Sequence, residues 1–199
     1  MEQKTLEALI AEHRDRESPV LELEVPLLRL LDSHGIGHLV DKLRKVAGEW
    51  EVAMATDHLW QSLPKEPGIY MFVWRPEFRF PMGQDDRPDS MSYILYVGQT
   101  GRDTSTQTLA DRYRNYRRYL AGSPEKLWEK TPVQTRATKL ARFLTLRPLE
   151  YWYCTVSDPA EVDLLEDQLI KLLNPPLNGP RSPKVRPKPP QPAFRRPGT

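Results

Sequence analysis

Two apolar runs in the middle of the chain have the pattern of β-strands. Both are rich in aromatic and β-branched residues and are bounded by Pro, Gly, Asp and Ser. The first run begins with Gly68-Ile69-Tyr70, and the second contains Tyr96-Val97-Gly98. We therefore predict two paired strands, which are joined by a long polar segment.

Alternate residues of an extended strand lie on the same face of a sheet. If the register of the two strands brings Tyr70 and Tyr96 to the same side of the pair, their phenols converge next to the residues that follow Gly98. Ile94 is expected to share the face of Tyr96. In the first strand one face carries Tyr70, Phe72 and Trp74, and the opposite face carries Ile69, Met71 and Val73.

A helix is predicted to follow these strands, beginning near Thr108. Thr108 and Asp111 have the spacing of a capping box, in which each residue satisfies a backbone N–H at the start of a helix. Arg112 lies at the edge of the apolar stripe and is therefore expected to reach the sheet. The stripe consists of Leu109, Tyr113, Tyr116 and Leu120.

A second helix is predicted over residues 159–173, after a third strand over residues 149–156. Glu166 lies inside its apolar stripe, which consists of Val162, Leu165, Leu169, Ile170 and Leu173. A carboxylate on a buried face is unfavourable unless it is paired or binds a cation. The two interpretations are an ion pair with an arginine and a metal ligand, and they are compatible because Arg112 is expected nearby.

The first 63 residues are predicted to form a helical extension that is structural or binds a partner, either a second copy of the chain or another protein. Helices are predicted over residues 1–17, 39–46 and 49–63, with a turn over residues 33–38. His34 and His38 lie in that turn. Two glycines between them disfavour a helix that would direct both rings to one metal ion, so we predict a solvated turn.

The net charge of +2 conceals an uneven distribution of charge. Acidic residues predominate over the first 67 residues, whereas basic residues predominate between residues 112 and 147 and in the proline-rich tail over residues 179–199. Clustered positive charge is typical of a polyanion site. The predicted DNA contacts are Arg114, Arg117, Arg118, Arg136, Lys139 and Arg142.

The composition excludes several classes of protein. The chain has no apolar run long enough to cross a bilayer and no signal-peptide pattern at its amino terminus, so we expect a cytoplasmic protein without membrane contact. Its single cysteine, Cys154, cannot form an internal disulfide and is expected to be a small buried hydrophobe. The predicted fold is α+β, a three-stranded sheet flanked by helices over residues 64–178, between the helical extension and the disordered tail.

Five sequence elements in one order resemble the GIY-YIG nuclease family. They are Gly68-Ile69-Tyr70, Tyr96-Val97-Gly98, Leu109 with Arg112 and Tyr116, Glu166 with Leu169 and Ile170, and Pro176-Leu177-Asn178. Two positions depart from the commoner family pattern. Gln99 replaces a frequent lysine, and Tyr116 stands where some members have a histidine. The long segment between the strands is similar to insertions in restriction-type members.

The resemblance implies roles for these residues. Glu166 would bind Mg²⁺ or Mn²⁺, and Arg112 would stabilise charge on the phosphate. Tyr70 and Tyr96 would orient the attacking water; which of the two acts as the base stays open, with Tyr70 favoured. Tyr116 would be the third catalytic tyrosine, at the position where a histidine of some members can take the proton of the water. The supporting residues would be Gly68, Gly98, Gln99 and Asn178.

The resulting hypothesis is a metal-dependent DNA endonuclease, with restriction or phage defence slightly favoured as its role. Repair and mobile-element nucleases remain alternatives within this class. The alternative from another class is a protein that uses the same fold to bind DNA or to assemble without cleaving.

Overall fold

The computed structural model describes residues 27–76, 92–101, 105–120 and 136–178. The predicted helix over residues 1–17, most of the segment between the paired strands, and the basic tail lie outside the described residues. In chain order the helices are α1 (Leu27–Leu30), α2 (Ser33–Val46), α3 (Leu109–Leu120), α4 (Arg136–Phe143) and α5 (Pro159–Leu173). The strands are β1 (Glu51–Met54), β2 (Gly68–Trp74), β3 (Tyr93–Thr100) and β4 (Leu149–Thr155).

The fold is α+β, with an antiparallel sheet of four strands in the order β1-β4-β2-β3. The prediction of three strands is wrong because Glu51–Met54 pairs with β4. These residues were predicted to be helical. The apolar residues of this short segment fit a strand as well as a helix, and pairing satisfies backbone groups at the edge of β4.

The prediction of a turn over residues 33–38 is also wrong, because α2 already begins at Ser33. The Asp32 carboxylate accepts a hydrogen bond from the Gly35 N–H at 2.9 Å and caps the helix. On its inner side α2 buries Leu39, and Lys42 forms an ion pair with Glu161 of α5. Capping and packing against α5 thus outweigh the low helix propensity of the two glycines.

The sheet separates two apolar clusters, and the predicted faces of β2 are confirmed. Tyr70 and Phe72 pack with α3 in one cluster, which also includes Tyr96 and Tyr151. The other cluster lies beneath α5 and contains Ile69, Met71, Val73, Val97 and Cys154, together with Val162, Leu165, Leu169 and Ile170 of the helix. Burial raises the pKa of the Cys154 thiol to about 12, in agreement with its predicted role as a core residue.

A register shift between Phe72 and Val73 changes the faces of β3. Phe72 pairs with Tyr96 but Val73 pairs with Ile94, so Leu95 is an extra residue in β3. Ile94 consequently packs beneath α5, whereas Tyr96 packs on the opposite face. The prediction that Ile94 and Tyr96 share a face is therefore wrong.

The outer edge of β3 is covered by the segment that follows α5. The Leu177 N–H donates to the Leu95 carbonyl oxygen at 3.0 Å. The side-chain amide of Asn178 continues this pairing: its Oδ1 accepts from the Val97 N–H at 2.9 Å, and its Nδ2 donates to the Val97 carbonyl oxygen at 2.7 Å. The edge is thereby closed beside Gly98. Within the described residues, no helix has the length and apolar character needed to span a membrane.

Candidate functional site

Helix α3 and strands β2 and β3 bring three tyrosine hydroxyls and one guanidinium together. The Arg112 Nε–H donates to the Tyr70 hydroxyl oxygen at 3.1 Å. The hydroxyls of Tyr70 and Tyr116 are 2.9 Å apart, and Tyr116 donates to Tyr96 at 3.3 Å. A continuous chain of hydrogen bonds therefore runs from Arg112 to Tyr96. We call these four residues the tyrosine–arginine cluster.

The predicted helix signals account for the position of Arg112. Thr108 and Asp111 form the reciprocal cap: the Thr108 N–H donates to Asp111 Oδ2 at 3.2 Å, and the Asp111 N–H donates to the Thr108 hydroxyl at 3.2 Å. The predicted stripe of Leu109, Tyr113, Tyr116 and Leu120 is buried. Arg112 lies one turn before Tyr116 and is half-buried, with its guanidinium 5.7 Å from the centre of the Tyr116 ring.

Gly98 is adjacent to the cluster and leaves space for Tyr70. A Cβ atom at Gly98 would lie 2.4 Å from the Tyr70 hydroxyl oxygen and 2.7 Å from Cε1 of Tyr96. Real Cβ atoms do not approach other atoms so closely. The absence of a side chain at this position is therefore a requirement for the observed packing of the hydroxyls.

The burial of the cluster determines its protonation. Burial, reinforced by Tyr116 and Tyr96, raises the pKa of Tyr70 well above that of an ordinary phenol, although Arg112 acts in the opposite direction. Burial also raises the pKa of Tyr116. For Arg112, burial favours the neutral form, but Tyr70 and Tyr116 outweigh it and the pKa of the guanidinium is raised. At neutral pH Tyr70 and Tyr116 are thus protonated and Arg112 is charged.

Tyr151 is a member of this environment that the sequence did not single out. Its ring stacks on Tyr70 at 5.3 Å between centroids, and it is completely buried. Its hydroxyl has no hydrogen-bond partner within the described part of the chain, whereas the neighbouring Tyr113 donates to the Thr56 carbonyl oxygen at 2.6 Å. Only the alternation of β4 places Tyr151 on this face, and aromatic residues in strands usually belong to the core.

Glu166 is buried as predicted, with 8% of its surface exposed. Helix α5, which carries Glu166, packs on the sheet face opposite to the tyrosines, so the expected proximity of Glu166 to Arg112 stays a prediction. Gln99 joins β3 to this helix, because its Nε2 donates to Asp163 Oδ1 at 3.1 Å, one turn before Glu166. Glu166 is buried together with Val162, Leu165, Leu169 and Ile170, as its position in the stripe predicted.

The remaining supporting residues are involved in packing of the sheet. Asn178 is hydrogen-bonded to the backbone of Val97, as described above. Gly68 allows β2 and β4 to approach, because a Cβ atom there would lie 2.2 Å from the Cys154 carbonyl oxygen. Both residues thus maintain the strand edges on which the tyrosines are placed.

The predicted DNA contacts differ in their surroundings. Arg114, Arg117 and Arg118 are exposed on α3. The Arg114 guanidinium lies 4.7 Å from the centre of the Trp60 ring, and Arg118 donates to the Tyr119 hydroxyl at 2.7 Å. On α4, Lys139 donates to the Pro176 carbonyl oxygen and Arg142 is half-buried, while the side chain of Arg136 lies outside the described residues. Helix α3 therefore presents the clearer basic surface.

Two cavities lie elsewhere on the molecule. One of about 300 Å³ lies where the end of α2 meets the end of β4 and includes Lys45, Gly48 and Ser157. The other, of about 170 Å³, lies between α2 and α5. Neither includes a member of the tyrosine–arginine cluster, which a ligand would reach through the half-exposed Arg112.

The donor atoms in this region suit a hard cation in their chemistry but provide few ligands. Among the residues that the structure describes, no three His, Cys, Asp or Glu side chains are close enough to hold one metal ion. A buried carboxylate oxygen is nevertheless the type of ligand that Mg²⁺ uses, and Mg²⁺ commonly keeps several waters and takes one or two carboxylates. Binding of such an ion through Glu166 and water therefore stays a prediction.

Comparison with known proteins does not identify a family. No protein-family model, curated protein or solved structure matches this chain.

Proposed function

We propose that the chain is a metal-dependent DNA endonuclease of the GIY-YIG type. The observation that best supports this is the hydrogen bond from the Arg112 Nε–H to Tyr70 at 3.1 Å, within a chain of three phenols. A charged fork held beside ordered hydroxyl groups is suited to a phosphodiester and an attacking water. The order of the five sequence elements gives independent support.

Arg112 would bind the scissile phosphate. Its Nε–H is used to position the side chain against Tyr70, so the terminal nitrogens of the same fork can be directed at phosphate oxygens. The guanidinium remains charged, because its pKa is raised in this environment. It would stabilise the negative charge that develops as the water attacks.

The tyrosines would orient the water as neutral hydroxyl groups. The pKa values of Tyr70 and Tyr116 are raised by burial, and a protonated phenol is a poor base. The environment of Tyr70 therefore does not favour this residue as the general base, although the family resemblance does. In this proposal Tyr70 and Tyr116 place the water in line with the phosphate.

Glu166 would hold a Mg²⁺ or Mn²⁺ ion at the outer edge of β3. When bound, such an ion neutralises phosphate charge and lowers the pKa of a coordinated water. The side chain of Gln99, which contacts Asp163 on the same helix, would help to fix the position of α5 relative to β3. Arg114, Arg117 and Arg118 would contact the DNA backbone on either side of the cut.

A non-cleaving DNA-binding protein is the second candidate. It is favoured by the burial of the tyrosines and by the use of Gln99 and Asn178 in contacts within the protein. Restriction or phage defence remains the proposed role for an active nuclease, on the basis of the long segment between β2 and β3.

Incubation of supercoiled plasmid with the protein and Mg²⁺ tests the proposal. We expect nicking by the wild type, and loss of nicking in Glu166→Ala and Arg112→Ala. Removal of one charge-stabilising donor typically lowers the rate by about 10²–10³-fold. Asp167→Ala, which removes the neighbouring carboxylate of α5, and Arg44→Ala, on the exposed face of α2, are the matched controls. If the wild type and all four variants retain DNA but none of them nicks it, the result supports the second candidate instead.

A further inference from the structure

The first turns of α2 hold two histidines in a geometry that the sequence analysis did not predict. His34 and His38 are four residues apart in a continuous helix, so their side chains project from the same face. Their Nε2 atoms are 3.1 Å apart, and the two rings meet edge to face with centroids 4.4 Å apart. Both side chains are exposed.

This separation fits a hydrogen bond between the two rings, and it also fits two nitrogens that bind one cation. At metal–nitrogen distances of about 2.0–2.1 Å, nitrogens 3.1 Å apart subtend an angle of about 100° at the ion. That value lies between the angles of octahedral and tetrahedral coordination. We propose that His34 and His38 form a two-histidine binding site for a transition-metal cation such as Zn²⁺.

The surroundings define the type of ion and of site. Neutral imidazole suits Zn²⁺, Cu²⁺ and Ni²⁺, whereas Mg²⁺ prefers oxygen ligands. No third His, Cys, Asp or Glu completes a metal group within the described residues, so water or a second molecule supplies the remaining ligands. The Asp32 carboxylate, which caps the same helix end, opposes the positive end of the helix dipole.

The site is separate from the proposed nuclease centre. Helix α2 packs on α5 through Leu39 and the Lys42–Glu161 ion pair, on the sheet face opposite to Tyr70. The inference therefore does not depend on cleavage of DNA. Cys154 does not compete for a thiophilic ion, since it is buried and the pKa of its thiol is raised to about 12.

A competition titration of Zn²⁺ against a chromophoric chelator tests the site. The titration is performed at neutral pH in millimolar Mg²⁺, which occupies oxygen-only sites such as the one proposed at Glu166. The proteins are the wild type, His34→Ala, His38→Ala and the control His58→Ala, which removes an exposed histidine outside α2. Alanine has a higher helix propensity than histidine, so the two α2 variants retain the helix, as circular dichroism will verify.

We expect the wild type and His58→Ala to bind one Zn²⁺ equally. Each α2 variant should bind at least about tenfold more weakly, because loss of a second-shell partner alone already weakens metal sites by about that factor. Zn²⁺ should also raise the unfolding temperature of the wild type, and raise it less in both α2 variants. Equal binding by all four proteins, or no Zn²⁺ binding by the wild type, would show that the two rings are only hydrogen-bonded to each other.

Discussion

Tyr70 is enclosed by side chains that determine both its position and its protonation. Its ring stacks on Tyr151 on one side, and its hydroxyl extends over Gly98 between Arg112 and Tyr116. These contacts come from three elements: Tyr151 from β4, Gly98 from β3, and both Arg112 and Tyr116 from α3. Single substitutions at these contacts should therefore change either the free energy of unfolding or the proposed cleavage rate, depending on the residue replaced.

The hydroxyls of Tyr113 and Tyr151 provide a matched pair of substitutions. Tyr113→Phe removes the hydrogen bond to the Thr56 carbonyl oxygen and should lower the free energy of unfolding by about 0.5–1.5 kcal/mol. Tyr151→Phe removes a buried hydroxyl without a hydrogen-bond partner in the described chain and should leave the stability unchanged or raise it. Urea denaturation measures both. A larger loss in Tyr151→Phe than in Tyr113→Phe would show that the Tyr151 hydroxyl has a partner.

Gly98 and Gly37 form a second matched pair. Gly98→Ala would place its Cβ atom 2.4 Å from the Tyr70 hydroxyl oxygen and should destabilise the fold by about 1–3 kcal/mol through overpacking. Gly37→Ala meets nothing within 4 Å in the middle of α2 and should stabilise the protein by up to about 1 kcal/mol. Thermal unfolding measures whether each substitution lowers or raises the unfolding temperature. Equal effects of the two substitutions would contradict the close packing at Gly98.

Strand alternation is a local property, so the sequence could place Tyr70 and Tyr96 each on one face of its own strand. Their convergence depends on the register between β2 and β3, which the structure supplies. The sequence misplaced Ile94 because a single extra residue, Leu95, reverses the alternation, and nothing in the apolar pattern marks that residue. It missed Tyr151 for a different reason. An aromatic residue in a strand is assigned to the core by default, and only the tertiary structure shows that its ring lies against Tyr70.

Capping signals were the most reliable guide to the helices. The Thr108–Asp111 box begins α3 as predicted, and Asp158 caps α5 through the Ala160 N–H at 2.9 Å. The extension was less predictable. Asp32 caps α2, which begins six residues before the predicted helix. Strand β1 replaces a predicted helix because its backbone pairs with β4, a contact that is not local in sequence.

The cap of α3 should make the stability of the protein depend on pH. Hydrogen bonds from Thr108 hold the pKa of Asp111 below the usual range of aspartate, so the ionised form stabilises the folded state. This contribution is complete above the ordinary aspartate pKa of about 3.9 and is lost as the pH falls through the lower pKa of the folded protein.

The measurement is the free energy of unfolding of the wild type and of Asp111→Ala as a function of pH. The difference between them should be constant above a pH of about 5 and should decrease at lower pH. Asp41→Ala, which removes an exposed carboxylate on α2, controls for the general effect of charge. A difference that increases on acidification would contradict the assigned role of the Asp111 carboxylate.

At the scale of the whole molecule, the sheet separates the proposed centre from the amino-terminal helices. The tyrosine–arginine cluster and the exposed arginines of α3 lie on one face, while α2 and α5 lie on the other. The α+β class followed from the sequence because strands and helices differ in hydrophobic period. The number of strands did not, since β1 is completed only by its pairing with β4.

The basic surface of α3 should bind DNA in a salt-dependent manner. Arg117 is exposed, and its replacement by alanine should reduce the slope of log affinity against log salt by about one if it contacts one phosphate. Arg44→Ala removes the same positive charge from α2 and should leave the slope unchanged. Fluorescence anisotropy with a labelled duplex measures both slopes. The same slope for wild type and Arg117→Ala would place the DNA elsewhere.

The most direct test of the nuclease proposal is the single-turnover rate of Mg²⁺-dependent cleavage by wild type and Tyr70→Phe. The substitution retains the ring that stacks on Tyr151 and removes only the hydroxyl that receives the Arg112 hydrogen bond. We predict a rate at least about 10²-fold lower with unchanged DNA affinity, because a group that acts mainly in the transition state changes rate rather than binding. Equal cleavage rates for the two proteins, or no cleavage by the wild type, would contradict the proposal.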